Sequence, residues 1–189
     1  VDLSGSACSA ECLRLVGEGL GASGAPVAEV LLKGMKEAKA MELLPAVCQQ
    51  MRREGSCMRV LSLGGNGAWG KGASLPLTEA LSSVACVVEE LDVRGCGLGG
   101  AAAAALVEAG RSLKTLTLGT WAIPVGGLRS GEVAEVSPGG AALSDGEGGV
   151  VGALLRSSTS VARVDLSGSA CSAECLRLVG EGLGASGAP

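Results

Sequence analysis

The stretch best suited to chemistry is Gly65-Asn66-Gly67-Ala68-Trp69-Gly70-Lys71-Gly72, between the apolar run Val60 to Leu63 and a helical pattern. Gly65, Gly67 and Gly70 match G-x-G-x-x-G. At that spacing a strand-to-helix turn can bring backbone N–H groups against a pyrophosphate. Glu89, Glu90 and Asp92 stand about 20 residues on, where such a unit keeps the acidic group for a ribose hydroxyl. The stretch also approaches the phosphate loop G-x-x-x-x-G-K-[ST], with Lys71 as its lysine. Gly72 replaces the hydroxyl residue, so the magnesium ligand is missing. A nucleotide-binding enzyme using Gly65, Gly67, Gly70 and Lys71 is therefore an alternative reading. In the main reading the glycines serve a turn and no cofactor is expected.

Other routes to catalysis are poorly supplied. The chain has no His, which removes Ser-His-Asp and Cys-His pairs and the usual mixed zinc sites. Cys8 and Cys12, repeated as Cys171 and Cys175, lack the C-x-x-C spacing. One helical turn would separate the thiols of each pair, so both can face a core. The pairs Glu89/Glu90 and Glu42/Glu54 have no spacing that demands acid–base work and read as solvated. No catalytic residue and no metal ligand set is expected, so the chain does not read as an enzyme.

Composition narrows the partners. The formal net charge is −4, against a general nucleic-acid binder. No apolar run reaches about 18 residues, the length needed to span a bilayer. Eight cysteines sit in apolar periodic stretches and read as reduced, buried thiols of a cytoplasmic protein. Apolar residues make up 47% of the chain but aromatics only 1%. Thin layers of Leu, Val, Ala and Cys can fill a core without rings.

The elements that must carry these residues are set by one recurring phrase. From Val88 to Leu98, apolar residues fall at Val88, Leu91 and Val93, then Cys96 and Leu98. This is L-x-x-L-x-L-x-x-C/N-x-L, a short strand followed by a turn. The phrase returns at Met58/Leu61/Leu63, Leu113/Leu116/Leu118 and Val161/Val164/Leu166, and more weakly at Val27/Val30/Leu32 and Val133/Val136/Pro138. It resembles a leucine-rich repeat, and the strand–turn–helix spacing of about 28 residues resembles the ribonuclease-inhibitor-like class. In that pattern Asn66 takes the amide position of the turn, which explains the glycine-rich stretch without a nucleotide.

Helical patterns lie between the phrases. Leu13, Val16 and Leu20 share one helix face. A helix over 36–53 should be bent or interrupted at Pro45. Another over 74–85 has Pro76 in its first turn, where proline is tolerated. Further helices are expected over 100–109, 147–157 and 172–183, with Gly21, Gly110 and Gly184 at helix ends. The stretch from Trp121 to Asp145 has no clear helix and puts Pro138 where a strand apolar belongs, so an irregular, loop-like turn is expected.

Residues 1–26 and 164–189 are identical, offset by a unit of 163 residues. The phrase spacing fits a whole number of turns into that unit. The expected fold is α/β: a single leucine-rich-repeat solenoid over 1–189, a horseshoe arc of about six turns. Parallel strands near 1–4, 30–33, 60–64, 90–94, 115–119 and 163–167 would form one curved sheet on the concave face, with helices on the convex face.

The resemblance implies that the sheet's exposed letters bind a protein. On successive strands these are Asp2, then Glu29 and Lys33, then Arg59 and Ser62, then Glu89, Glu90, Asp92 and Arg94. Lys114, Thr115 and Thr117 follow, and Arg163 and Asp165 come last. Trp121, after the fourth strand, is either an anchor or a filler of the irregular turn. The expected function is non-catalytic protein–protein interaction, with a scaffold or filament of tandem units as a further alternative. The chain starts within a strand at Val1 and stops at Pro189, where the first copy runs on into Val27. That suggests an excerpt of a longer array, or head-to-tail self-association.

Overall fold

A computed structural model describes residues 1–22, 26–35, 37–67 and 70–186. In chain order these form α1 (Ala10–Ala22), β1 (Glu29–Leu31), α2 (Glu37–Arg52), β2 (Val60–Ser62), α3 (Gly70–Leu81), β3 (Glu90–Asp92) and α4 (Gly100–Ala109). The remainder forms β4 (Thr115–Thr117), β5 (Ala122–Ile123), α5 (Val125–Ser130), β6 (Glu135–Val136), α6 (Asp145–Ser157), β7 (Arg163–Val164) and α7 (Ala173–Ala185).

Strands β1 to β4 are parallel neighbours in chain order, with Val30, Leu61, Leu91 and Leu116 in one register row. All four are at most 1% exposed. The row behind them, Leu32, Leu63, Val93 and Leu118, is also buried. Alternation therefore sends every second strand residue into the core and the intervening ones outward. Each helix packs on the helix of the next layer: α1 on α2, α2 on α3, α3 on α4, α4 on α6 and α6 on α7. Strands and helices alternate in the manner of a leucine-rich-repeat-like α/β fold.

The turn after each strand shows why amide and thiol interchange in the phrase. Asn66, 1% exposed, donates Nδ2–H to the carbonyl of Leu32 one layer back at 2.7 Å and to Leu63 at 2.6 Å. One layer on, Cys96 donates its thiol to the Leu63 carbonyl at 3.4 Å. Both satisfy a buried carbonyl that the short strands leave over. Gly65 and Gly95 hold φ of +76° and +68°, which a side chain would strain.

Several expectations need correction. The sheet is not continuous. Strand β5 folds back antiparallel on β4, pairing Leu116 with Ile123, and takes the edge that a next parallel strand would use. A separate two-stranded sheet, β6–β7, follows. The cause is length: the stretch between Leu118 and Pro138 falls short of a full strand–turn–helix layer of about 28 residues. Nor is 121–145 a plain loop, since it holds β5, the short α5 and β6, with Val136 and Pro138 buried. Residues 1–4 supply one bridge, Asp2 to Leu31, not a full strand.

Pro45 does not interrupt α2. It is exposed, and Leu43, Leu44, Val47, Cys48 and Met51 anchor the helix on either side, so one missing N–H is tolerated. Helix α3 begins at Gly70 rather than Ser74, which places Pro76 inside it. Ala68 and Trp69 lie outside the described residues, as does the side chain of Lys71.

Candidate protein-binding face

The outward residues of β1 to β4 make one charged surface. Register places Glu29, Val60, Glu90 and Thr115 in one row and Leu31, Ser62, Asp92 and Thr117 in the next. Just before the strands, Arg59, Glu89 and Lys114 follow one another across the layers. Arg59 and Lys114 flank Glu89 from either side, Lys114 at 2.9 Å and Arg59 in a short ion pair. The Lys114 hydrogen bond, outweighing partial desolvation, together with the charges of both cations holds the Glu89 carboxyl below the usual carboxylate range.

Asp92 is the second node. Lys33 approaches it at 3.4 Å and Arg94 at 2.8 Å, while Ser62 donates its hydroxyl at 3.1 Å. Burial pushes this carboxyl up. The Arg94 side-chain and backbone donors and the Ser62 hydroxyl outweigh that and hold it below the ordinary value. Gly64 makes the arrangement possible, because a Cβ there would stand 2.9 Å from Asp92 Oδ1. Ser62, expected on the exposed face, is 2% exposed because Asp92 lies over it.

Thr115 and Thr117 are half-buried beside these nodes, while Glu29 and Glu90 are exposed with no ion-pair partner among the described residues. The cavity over the rows, lined by Lys33, Ser62, Glu90, Asp92, Thr115 and Thr117 among others, measures about 170 Å³. Small-molecule pockets run from about 300 Å³ upward, so this surface is a shallow groove.

No protein-family model matches the chain, and no curated protein matches it. Among solved structures it is similar to the tropomodulin C-terminal domain of Caenorhabditis elegans, at 15% identity over 92% of each chain with a TM-score of 0.49.

The other expected residues fall in different places. Arg163 and Asp165 lie on the second sheet, paired at 2.7 Å, with Glu135 3.5 Å from Arg163. The break at β5 separates them from the β1–β4 surface. Trp121 is half-buried against the core. In the glycine-rich stretch the Asn66 amide hydrogens are committed to two carbonyls of the turn.

None of the eight cysteines is in a disulfide. Burial pushes Cys48, Cys96 and Cys175 up to about 11 and raises Cys86. The Cys8/Cys12 and Cys171/Cys175 pairs do not each share one helix face, because Cys8 and Cys171 precede the helices. Only Cys57 is exposed. Among the described residues, no helix is long and apolar enough to cross a membrane.

Glu147 escaped the reading of the sequence. It is fully buried and forms a capping box: its Oε2 accepts from the Ser144 N–H at 2.8 Å, while Ser144 Oγ accepts from the Glu147 N–H. Its Oε1 has no hydrogen-bond partner among the described residues and lies against Gly119. The signal was present as Ser144-x-x-Glu147.

Proposed function

We propose that this chain is a non-catalytic protein-interaction module, a leucine-rich-repeat solenoid of the ribonuclease-inhibitor-like class with about six turns. It works in the cytoplasm and docks a protein partner on the concave strand face. The observation that carries this is the shallow, charged groove across β1 to β4. Its two carboxylate nodes are each flanked by cations, and Glu29, Glu90, Thr115 and Thr117 remain to meet a partner. Paired charges of alternating sign give orientation and register more than raw affinity. Carboxylates already held by Lys and Arg are poor general bases, and a groove of this depth gives a small substrate little enclosure.

The partner-contacting set is Glu29, Lys33, Arg59, Glu89, Glu90, Asp92, Arg94, Lys114, Thr115 and Thr117. Trp121 stands at its margin, and Arg163 and Asp165 would add contacts from the separate β6–β7 sheet. The test is affinity capture with mass spectrometry, comparing the wild-type chain with Glu90→Lys/Lys114→Glu and with the off-face change Arg111→Glu. Partners lost with the first variant and kept with the second support the reading. An identical set from all three chains counts against it. A melting shift with ATP or NAD that vanishes in Lys71→Ala would favour the nucleotide alternative.

A further inference from the structure

The two identical stretches of sequence are seated by opposite sides. In α1, Leu13 and Leu20 are 1% and 4% exposed, and a Cβ at Gly17 would meet Ala46 Cβ at 3.5 Å and Leu43 at 3.7 Å. That face sits on α2. The same positions of α7 are Leu176, Leu183 and Gly180. The leucines are 51% and 47% exposed, and among the described residues nothing lies within 4 Å of a Cβ at Gly180.

The strand edges repeat the contrast. In the first copy, the Leu3 and Gly5 N–H groups donate to Leu31 and Lys33 at 2.8 and 2.7 Å, and Val1 accepts from the Leu31 N–H at 2.9 Å. In the second copy, β6 bonds the alternate residue Asp165, whose N–H reaches Val136 at 2.9 Å. The N–H groups of Leu166 and Gly168 have no partner among the described residues. An apolar helix face and an unpaired strand edge thus stand side by side at the end of the second sheet.

We infer that this end is a self-association surface, and that its occupant is the β1–α2 layer of a second copy of this chain. The surface is continuous with an interface the molecule already contains: residue for residue, 164–183 present to solvent what 1–20 present to β1 and α2. Docking displaces the second copy's own residues 1–22. The interface between the two molecules repeats the internal one it replaces. Helix α7 is already ordered on α6, and the displaced segment recovers chain entropy. The arrangement is head-to-tail and need not close, so it extends into linear assemblies. It leaves the β1–β4 groove open and is independent of what that groove binds.

The test uses Gly180→Cys/Ala46→Cys, because the equivalent Gly17–Ala46 Cβ distance lies within disulfide range. Under mild oxidation of the full chain, dimers and higher species should appear on non-reducing gels beyond those of either single variant. Adding Leu176→Glu/Leu183→Glu, both at exposed positions, should abolish them. Sedimentation of the wild type should show mass rising with concentration. A monomer at every concentration, or cross-linking no greater than in the single variants, would overturn the inference.

Discussion

Helices α1 and α7 share every letter, yet Cys175 and Val179 are 0% and 3% exposed while their counterparts Cys12 and Val16 are only half-buried. A Cβ at Gly182 would stand 2.5 Å from the Gly152 carbonyl, whereas one at Gly19 would meet nothing within 4 Å. The helix carries two apolar stripes, Leu13/Leu20 and Cys12/Val16/Gly19. One suits a following layer and the other a preceding layer. Among the described residues each copy packs on one neighbouring helix, α1 on α2 and α7 on α6, so each buries one stripe. Burial is thus decided by the adjoining layer and not by the residue itself, as expected where layers contact only their neighbours.

Paired substitutions exploit this built-in control. Leu13→Ala should cost about 2–5 kcal/mol, and Leu176→Ala should stay within about 0.5 kcal/mol, read as urea midpoints. Equal losses would mean that both stripes are buried. Next comes glycine. Gly182→Ala should destabilise by about 1–3 kcal/mol because a backbone carbonyl cannot step aside, while Gly19→Ala should stabilise by up to about 1 kcal/mol. A smaller contrast lies at the caps. Ser172→Ala and Ser9→Ala should each cost about 1 kcal/mol, Ser172 the more because it also donates to Asp145.

Acid should expose the charged nodes. The folded-state values of Glu89, Asp92 and Asp165 lie below their ordinary ones. Their stabilisation is therefore present above the unfolded value, about 3.9 for Asp and 4.3 for Glu, and is lost as pH falls through the lowered values. Urea melts from about pH 5 downward should show a shallower acid loss in Asp92→Asn than in wild type. Thiol chemistry gives the smallest effect: a maleimide should modify Cys57 first, with Cys48, Cys86, Cys96 and Cys175 slow.

The layers between Met58 and Leu118 were legible because two independent periods agree there, alternation along the strand and the spacing of the phrases. Helix α4 was placed to the residue because Gly99 and Gly110 bracket an unbroken run of alanines, Leu106 and Val107. The stretch from Trp121 to Val136 was not legible, since β5 pairs back on β4 through a tertiary choice that a two-residue strand cannot announce, whereas α6 and α7 beyond it follow their apolar spacing. Of the candidate face, the charged letters could be read from spacing. The shielding of Ser62 could not, because it depends on Asp92 one strand away and on the missing Cβ at Gly64 that lets Asp92 lie there. Nor could the letters of 1–26 say which stripe is buried, since both are apolar.

The most direct test of seating by neighbours is residue-resolved amide hydrogen exchange by NMR in dilute protein. In the first copy Leu3 and Gly5 should be protected and Asp2 should not. In the second copy the phase should invert, with Asp165 protected and Leu166 and Gly168 exchanging freely. The same protection pattern in both copies would contradict opposite seating of the two identical layers.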